Sequence, residues 1–285
     1  MAVYVGANEL SKIYVGNSNG NSIYLGDKKV WPVYPDLTPV IEEIKQYSGF
    51  KPIHYCQFNG SMNQTILTNP NGTTYTPYSF AATPSATYVK GVGGRKALQM
   101  YTSDISLATQ AKGDRSVFIS MLIKQTTSNN SYSGILGGTI FGLNTQGFGY
   151  ALGWAPSIQS NKICAESYAG GAAAAAYSST AMTTNKWYHI MIEFRAPITA
   201  VGYGTPTSWI SVNGSTFVQA NGSGSIGSPL DYSDLTDSYI HLGCTWQSGK
   251  NYFKGLIQDF VLWTDHIDDY GANLLINYYK ELEIY

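Results

Sequence analysis

The sequence predicts an all-β protein: an antiparallel β-sandwich of jelly-roll type, preceded by a short β-repeat module and an amphipathic helix. Three observations point there. From Phe50 onward, segments such as 116–124 (SVFISMLIK), 186–195 (KWYHIMIEFR) and 256–263 (LIQDFVLW) alternate along the chain with a period near two. Gly, Asn, Ser and Pro punctuate them, with no βαβ alternation and no Gly-rich phosphate loop, which disfavours a nucleotide enzyme. The composition is that of an uncharged polar β protein. Charged residues make up 12% of 285, about half the roughly 25% usual for soluble domains. Tyr contributes 23, while Ser, Thr and Asn together contribute 70.

The same figures exclude several function classes. A formal net charge of −1 offers no electrostatic footprint for nucleic acid or an anionic membrane. Hydrophobic residues at 44% are too many for a disordered chain, and no apolar run approaches the roughly 18 residues of a membrane helix. The N-terminus MAVYVGANELSK has no basic stretch followed by an apolar one, so the chain is expected to be made in a cytoplasm. Three cysteines without a CxxC pair (Cys56, Cys164 and Cys244) read as buried thiols.

Residues 1–35 form the repeat module. Val3-Tyr4-Val5-Gly6 recurs as Ile13-Tyr14-Val15-Gly16 and Ile23-Tyr24-Leu25-Gly26, and Val33-Tyr34 begins a fourth copy that Pro35 ends. Each ten-residue unit is a short β-branched and aromatic strand closed by a Gly-containing turn. Units this short bury little core alone. Tyr4, Tyr14, Tyr24 and Tyr34 therefore read as an anchoring and homotrimerisation strip; the alternative is a β-meander packed on its own chain.

Residues 36–49 form a helical linker. Thr38 suits an N-cap with Pro39 at the first helical position, and Leu37, Val40, Ile41, Ile44 and Tyr47 fall on one face. Ser48-Gly49 ends it. Residues 50–285 form the sandwich, closed by a C-terminal helix that starts at the acidic pair Asp268-Asp269.

Several segments of this domain resemble concanavalin A-like, laminin G-like domains. Ala97-Leu98-Gln99-Met100 and Val117–Lys124 are similar to their opening strands. Trp187-Tyr188-His189-Ile190 resembles their "W-x-H-[VI]" strand, Trp209–Gly214 their Val-Asn-Gly hairpin, and Tyr239–Gly243 with Phe253–Trp263 their closing pair. The resemblance implies a laminin G-like jelly roll, and glycan binding as the usual work of its non-enzymatic members.

The chemistry of an enzyme is missing from the sequence. Retaining glycosidases need two carboxyls roughly 5 Å apart, which alternate strand positions supply. Between Glu43 and Glu166 there is no Glu, and neither Glu166 nor Glu193 has an acidic neighbour two or four positions away. No two of His54, His189, His241 and His266 have metal-ligand spacing, and His189 and His241 read as hydrogen-bonded residues of core-type strands. No cofactor is required. The resemblance implies calcium at a sandwich rim, for which Asp231, Asp234 and Asp237 are the candidate ligands; a solvated loop with Asx-turns is the other reading of those residues. Among aromatics assigned to loops, which include Tyr177, the candidate glycan contacts are Trp154, Tyr168, Trp246 and Tyr252. The run from Ala172 to Ala176 suits close packing against another surface.

A Tyr/Gly repeat ahead of such a sandwich resembles virion proteins of tailed bacteriophages: head fibres, tail fibres and capsid decoration proteins. That resemblance implies a homotrimer in the virion, joined to other virion proteins through its N-terminus, whose sandwich binds host or mucosal glycans. The alternative is a bacterial cell-surface or secreted carbohydrate-binding module.

Overall fold

The computed structural model describes residues 4–5, 8–9, 14–15, 22–25, 28–32, 37–49, 52, 54–56, 58, 87–100, 105–109, 116–127, 133–139, 153–154, 157–159, 161–169, 172–195, 207–222, 238–243, 252–263 and 266–284. The N-terminal repeat forms β1 (Tyr4–Val5), β2 (Asn8–Glu9), β3 (Tyr14–Val15), β4 (Ser22–Leu25) and β5 (Lys28–Pro32). The first two pair with each other, and the other three form a second antiparallel sheet. Tyr14 faces Tyr24 across the β3–β4 pair, and Leu25 faces Lys28 across the β4–β5 pair. Tyr34 lies outside the described residues.

After α1 (Thr38–Ser48) come β6 (His54–Cys56), β7 (Thr87–Lys90), β8 (Lys96–Met100), β9 (Ile105–Thr109) and β10 (Ser116–Gln125). Next are β11 (Ser133–Gly134), β12 (Leu136–Thr139), β13 (Gly153–Trp154), β14 (Ser157–Gln159), β15 (Lys162–Ala169) and β16 (Ala172–Ala181). The chain continues with β17 (Trp187–Arg195), β18 (Thr207–Val212), β19 (Val218–Asn221), β20 (Ser238–Leu242) and β21 (Gly255–Trp263), and α2 (Asp269–Glu281) follows. Two eight-stranded sheets result. The first runs β19-β18-β17-β10-β21-β8-β7, with β6 beside β8 along β21; the second runs β11-β14-β15-β13-β12-β20-β9, with β16 along the other side of β15. Every ladder between these strands is antiparallel.

Alternation builds the core between the sheets. Val117, Ile119, Met121 and Ile123 of β10 pack with Tyr188, Ile190, Ile192 and Phe194 of β17 and with Ile163 and Ala165 of β15. Two hydroxyls cross the interior: Ser208 meets Ser167 at 2.8 Å and donates to the Ala174 carbonyl at 3.2 Å. The alanine run is therefore strand, with Ala174 and Ala176 buried toward the opposite sheet. Small side chains there let the sheets approach.

The turn chemistry follows the sequence. Asn213 and Gly214 take the left-handed conformation (φ 52° and 68°), as a tight hairpin requires. A Cβ on Gly255 would collide with the Lys124 carbonyl oxygen and the Phe253 ring. One feature breaks the alternation. Between the pairs Ser120–Val261 and Leu122–Gln258, one residue of β10 faces two of β21, a bulge in which Asp259 has φ 54°.

The first sheet has a second apolar layer on its outer face. Phe118, Leu122, Met191, Val261 and Trp263 pack beneath Leu37, Ile41 and Ile44 of the α1 region and Ala272, Leu275, Tyr278 and Tyr279 of α2. Both faces of its central strands are thus buried. Three sequence expectations change here. Leu37, not Thr38, holds the cap position of α1, because Leu37 is buried and its N–H donates to the Tyr55 hydroxyl at 2.8 Å. Tyr47 lies off the buried face, 65% exposed, stacked on Tyr270 with ring centroids 4.1 Å apart. Asp268 is the cap of α2, accepting from the Gly271 N–H at 2.9 Å, and Asp269 begins the helix.

Candidate functional site

The outer face of the second sheet is built differently. Along β15 and β16, Ile163, Ala165, Ser167, Ala174, Ala176 and Ser178 are buried, while Lys162, Glu166, Ala175, Tyr177 and Ser179 reach the surface. The alternation fixes which register positions belong to this open face. Tyr177 is 41% exposed and stands opposite buried Cys164 in the β15–β16 ladder, its hydroxyl hydrogen-bonded to the Cys164 sulfur. Burial, with Glu166 next to it, pushes the Cys164 thiol well above its ordinary range. The thiol stays protonated and lies 3.5 Å from Glu166 Oε1, which accepts from it.

Register continues the same side of β15 and β16 across the sheet as backbone positions. Ala173 pairs with Tyr168, Tyr168 with Gly153, and Gly153 with Thr139. One step beyond the Gly138–Ile240 pair, Thr139 comes level with Tyr239, which pairs with Ala108. The row thus reads Ala, Tyr, Gly, Thr, Tyr, Ala. Three strand spacings of about 4.8 Å set the two tyrosine positions about 14 Å apart. Gly137, His241 and Ser106 occupy the next row on the same side, level with one another. Leu242, whose register is the other one, is buried in the core. A glycine position between two aromatic positions lets a ligand ring come close to the backbone.

The candidate residues fall variously on this frame. Tyr168 stands at an open-face position of β15. Trp154 pairs with Ser167 and Gly138, on the core-facing register. Tyr252 is half-buried and makes an isolated parallel bridge to Gly134. Trp246, Asp231, Asp234 and Asp237 lie outside the described residues. Trp154, Tyr168 and Tyr177, assigned to loops by the sequence, are strand residues. Sequence reasoning did not single out Glu166, Tyr239, Gly137 or Gly153 for this face. The signal was present in the alternation of 162–169 (KICAESYA), but the strand order that aligns the segments was not.

The histidine of β17 is structural. His189 is fully buried, its Nε2 lies 2.9 Å from Ser120 Oγ, and its ring stacks on Tyr279 at 4.1 Å. Burial lowers its pKa to about 3, so the ring is neutral. At the same layer Arg95 makes a bidentate ion pair with fully buried Asp259, both contacts 2.6 Å. At the strand end Glu193 takes Arg195 Nε and lies 2.9 Å from His266 Nδ1, and the Arg195 guanidinium stacks 4.6 Å from the Trp209 ring.

No family model matches the chain, and no curated sequence is significantly similar to it. Solved structures share its fold. Domain 4 of AbnA, an extracellular arabinanase from Geobacillus stearothermophilus solved with arabinotriose, superposes with a TM-score of 0.51 at 14% identity, over 80% of this chain and 98% of that one. The botulinum neurotoxin serotype D binding domain gives 0.51 at 15% identity, over 84% and 52%. The type G receptor binding domain gives 0.50 at 13%, over 80% and 50%. The chain spans nearly all of the arabinanase domain and about half of the neurotoxin domains. At such identities the likeness is one of fold, an antiparallel jelly-roll sandwich.

Proposed function

We propose that the chain is a non-catalytic glycan-binding protein that takes its sugar on the open face of the second sheet. The observation that carries this reading is the row Tyr168, Gly153, Thr139, Tyr239: aromatic positions about 14 Å apart around a side-chain-free one. Sugar rings stack on aromatic faces and use hydroxyl partners such as Thr139, and the glycine admits them close to the backbone. The arabinotriose held by the arabinanase domain supports the same chemistry on this fold. A glycosidase needs two carboxyls at a set separation. Among the described open-face positions there is one, Glu166.

In this reading the sandwich is displayed on a phage virion as a head fibre, tail fibre or capsid decoration, as a homotrimer attached to other virion proteins through residues 1–35. The ten-residue Tyr/Gly repeat supports it: its β1–β5 are two to five residues long, too short to be stable alone. The second reading, a bacterial cell-surface or secreted carbohydrate-binding module, draws support from the arabinanase domain that the chain spans almost whole.

Two measurements test the proposal. On a glycan array followed by calorimetry, Tyr168→Ala is expected to weaken binding about tenfold or more, roughly the loss of one stacked ring, with an unchanged melting temperature. A wild-type chain that binds no glycan overturns the glycan reading. Deleting residues 1–35 is expected to convert a trimer to a monomer by light scattering. A full chain that is already monomeric overturns the fibre reading in favour of the module.

A further inference from the structure

We infer that the outer face of the first sheet carries a second glycan site, for a neutral sugar, on β17, β18 and β19 beside the helical layer. The inference rests on the glycan reading above and adds a site to it. Register defines the place. Phe118, part of the apolar layer under the helices, pairs with Glu193, Glu193 with Trp209, and Trp209 with Gln219. Two residues along each strand, Arg195 pairs with Thr207 and Thr207 with Asn221. Ile210, Val218 and Ala220, on the other register, pack toward the core between the sheets. The outer face therefore changes from apolar to polar as it leaves Phe118. Gln219 and Asn221 are exposed there, and Trp209 and Arg195 are half-buried.

The side chains are arranged in depth. Glu193 lies lowest, its side chain 6% exposed, and its Oε1 meets both Arg195 Nε and His266 Nδ1, the latter at 2.9 Å. The Arg195 guanidinium is thereby fixed 4.6 Å from the Trp209 ring, with Nη2 2.7 Å from His266 Nδ1. Gln219 Nε2 donates to Asn221 Oδ1 at 2.9 Å, which joins the two amides into one ridge along β19. Three strands spaced about 4.8 Å apart and a two-residue step of about 7 Å make a patch roughly 10 Å by 7 Å, the size of a small saccharide. Guanidinium and amide groups suit pairs of sugar hydroxyls as donors and acceptors, and the C–H face of a sugar packs on an indole. An acidic sugar is the poorer ligand, because drawing Arg195 toward a ligand carboxylate weakens the pair that holds the buried Glu193 carboxylate.

The test is a glycan array of neutral and acidic members, followed by calorimetry with arabinotriose, maltotriose and chitotriose. Wild type is expected to take a neutral glycan at two sites per chain. Trp209→Ala should weaken one of them about tenfold, and the double variant Gln219→Ala/Asn221→Ala about threefold or more, while Tyr168→Ala weakens only the other. Should Trp209→Ala lower the melting temperature, the amide double variant decides, since both its residues are exposed. Glycan binding that is unchanged in the double variant overturns the inference and leaves the open-face reading standing. Binding that the double variant weakens and Tyr168→Ala does not touch keeps the inference and overturns the open-face placement. Tighter binding of acidic members, weakened by the double variant, overturns the neutral ligand class. Failure to bind any glycan removes both readings.

Discussion

The two outward faces of the sandwich obey one alternation rule and end as opposites. On the first sheet, the outward positions Phe118, Leu122, Met191, Val261 and Trp263 are large and apolar, and α1 and α2 seal them. On the second sheet the outward positions include Gly137, Gly153, Ala173, Ala175, Tyr168, Tyr177 and Glu166, and of those with described side chains on β15 and β16 Cys164 is buried while Lys162, Glu166, Ala175, Tyr177 and Ser179 reach solvent. Large apolar residues on an outer face require a covering layer, because leaving them wet forfeits the apolar burial that stabilises the fold. Small residues and single tyrosines do not. The helices seal one face, while the other carries exposed positions along β15 and β16.

Substitutions on each face sharpen that contrast. The largest effect is expected at the buried ion pair of the helical side. Arg95→Met leaves the fully buried Asp259 carboxylate without its bidentate partner and should cost about 3–5 kcal/mol in a denaturant melt. A loss below about 1 kcal/mol would mean that this layer is wetter than described.

A pH effect comes next. The folded pKa of His189, about 3, lies below the ordinary 6.5, so the unfolded chain takes up the proton first. Its contribution to stability is complete above pH 6.5 and is lost as pH falls from there toward 3, at no more than about 1.4 kcal/mol per pH unit. His189→Gln removes that slope while keeping a hydrogen-bonding group near Ser120. Parallel stability-versus-pH curves for wild type and variant would contradict the assignment.

The smallest effect belongs to the open face. Glu166→Gln should move stability by no more than about 0.5 kcal/mol, since a half-exposed carboxylate away from the core contributes little. A larger loss would make Glu166 a structural residue.

Much of this architecture was legible in the sequence because it depends on neighbours along the chain. The strands at 116–125 and 187–195 follow from alternation, the Asn213-Gly214 turn from left-handed propensity, and the end of α1 at Gly49 from its αL conformation (φ 78°). The bulge at Asp259 was not legible. It depends on the pairing of β10 with β21, and its Arg95 partner lies 164 residues away. Tyr47 misled for a related reason: helical spacing put it on the apolar face, but its partner is Tyr270 on the other helix. The candidate site was legible only as a list of aromatics. Tyr168 and Trp154 looked equivalent in sequence, yet the register of β13 with β15 sets them on opposite faces.

The sequence by itself determined the class of this protein. Period-two segments closed by Gly and Asn turns favour antiparallel strands over any helical alternative, and the composition is poor in charge. Only the tertiary structure decided which face the helices seal. That choice depends on where α1 and α2 come to rest, and on strand order that brings Tyr168, Gly153, Thr139 and Tyr239 into one row from segments up to 100 residues apart in the chain. Local propensity acts over a few residues, whereas register and layer packing are settled by long-range burial, which leaves no local trace.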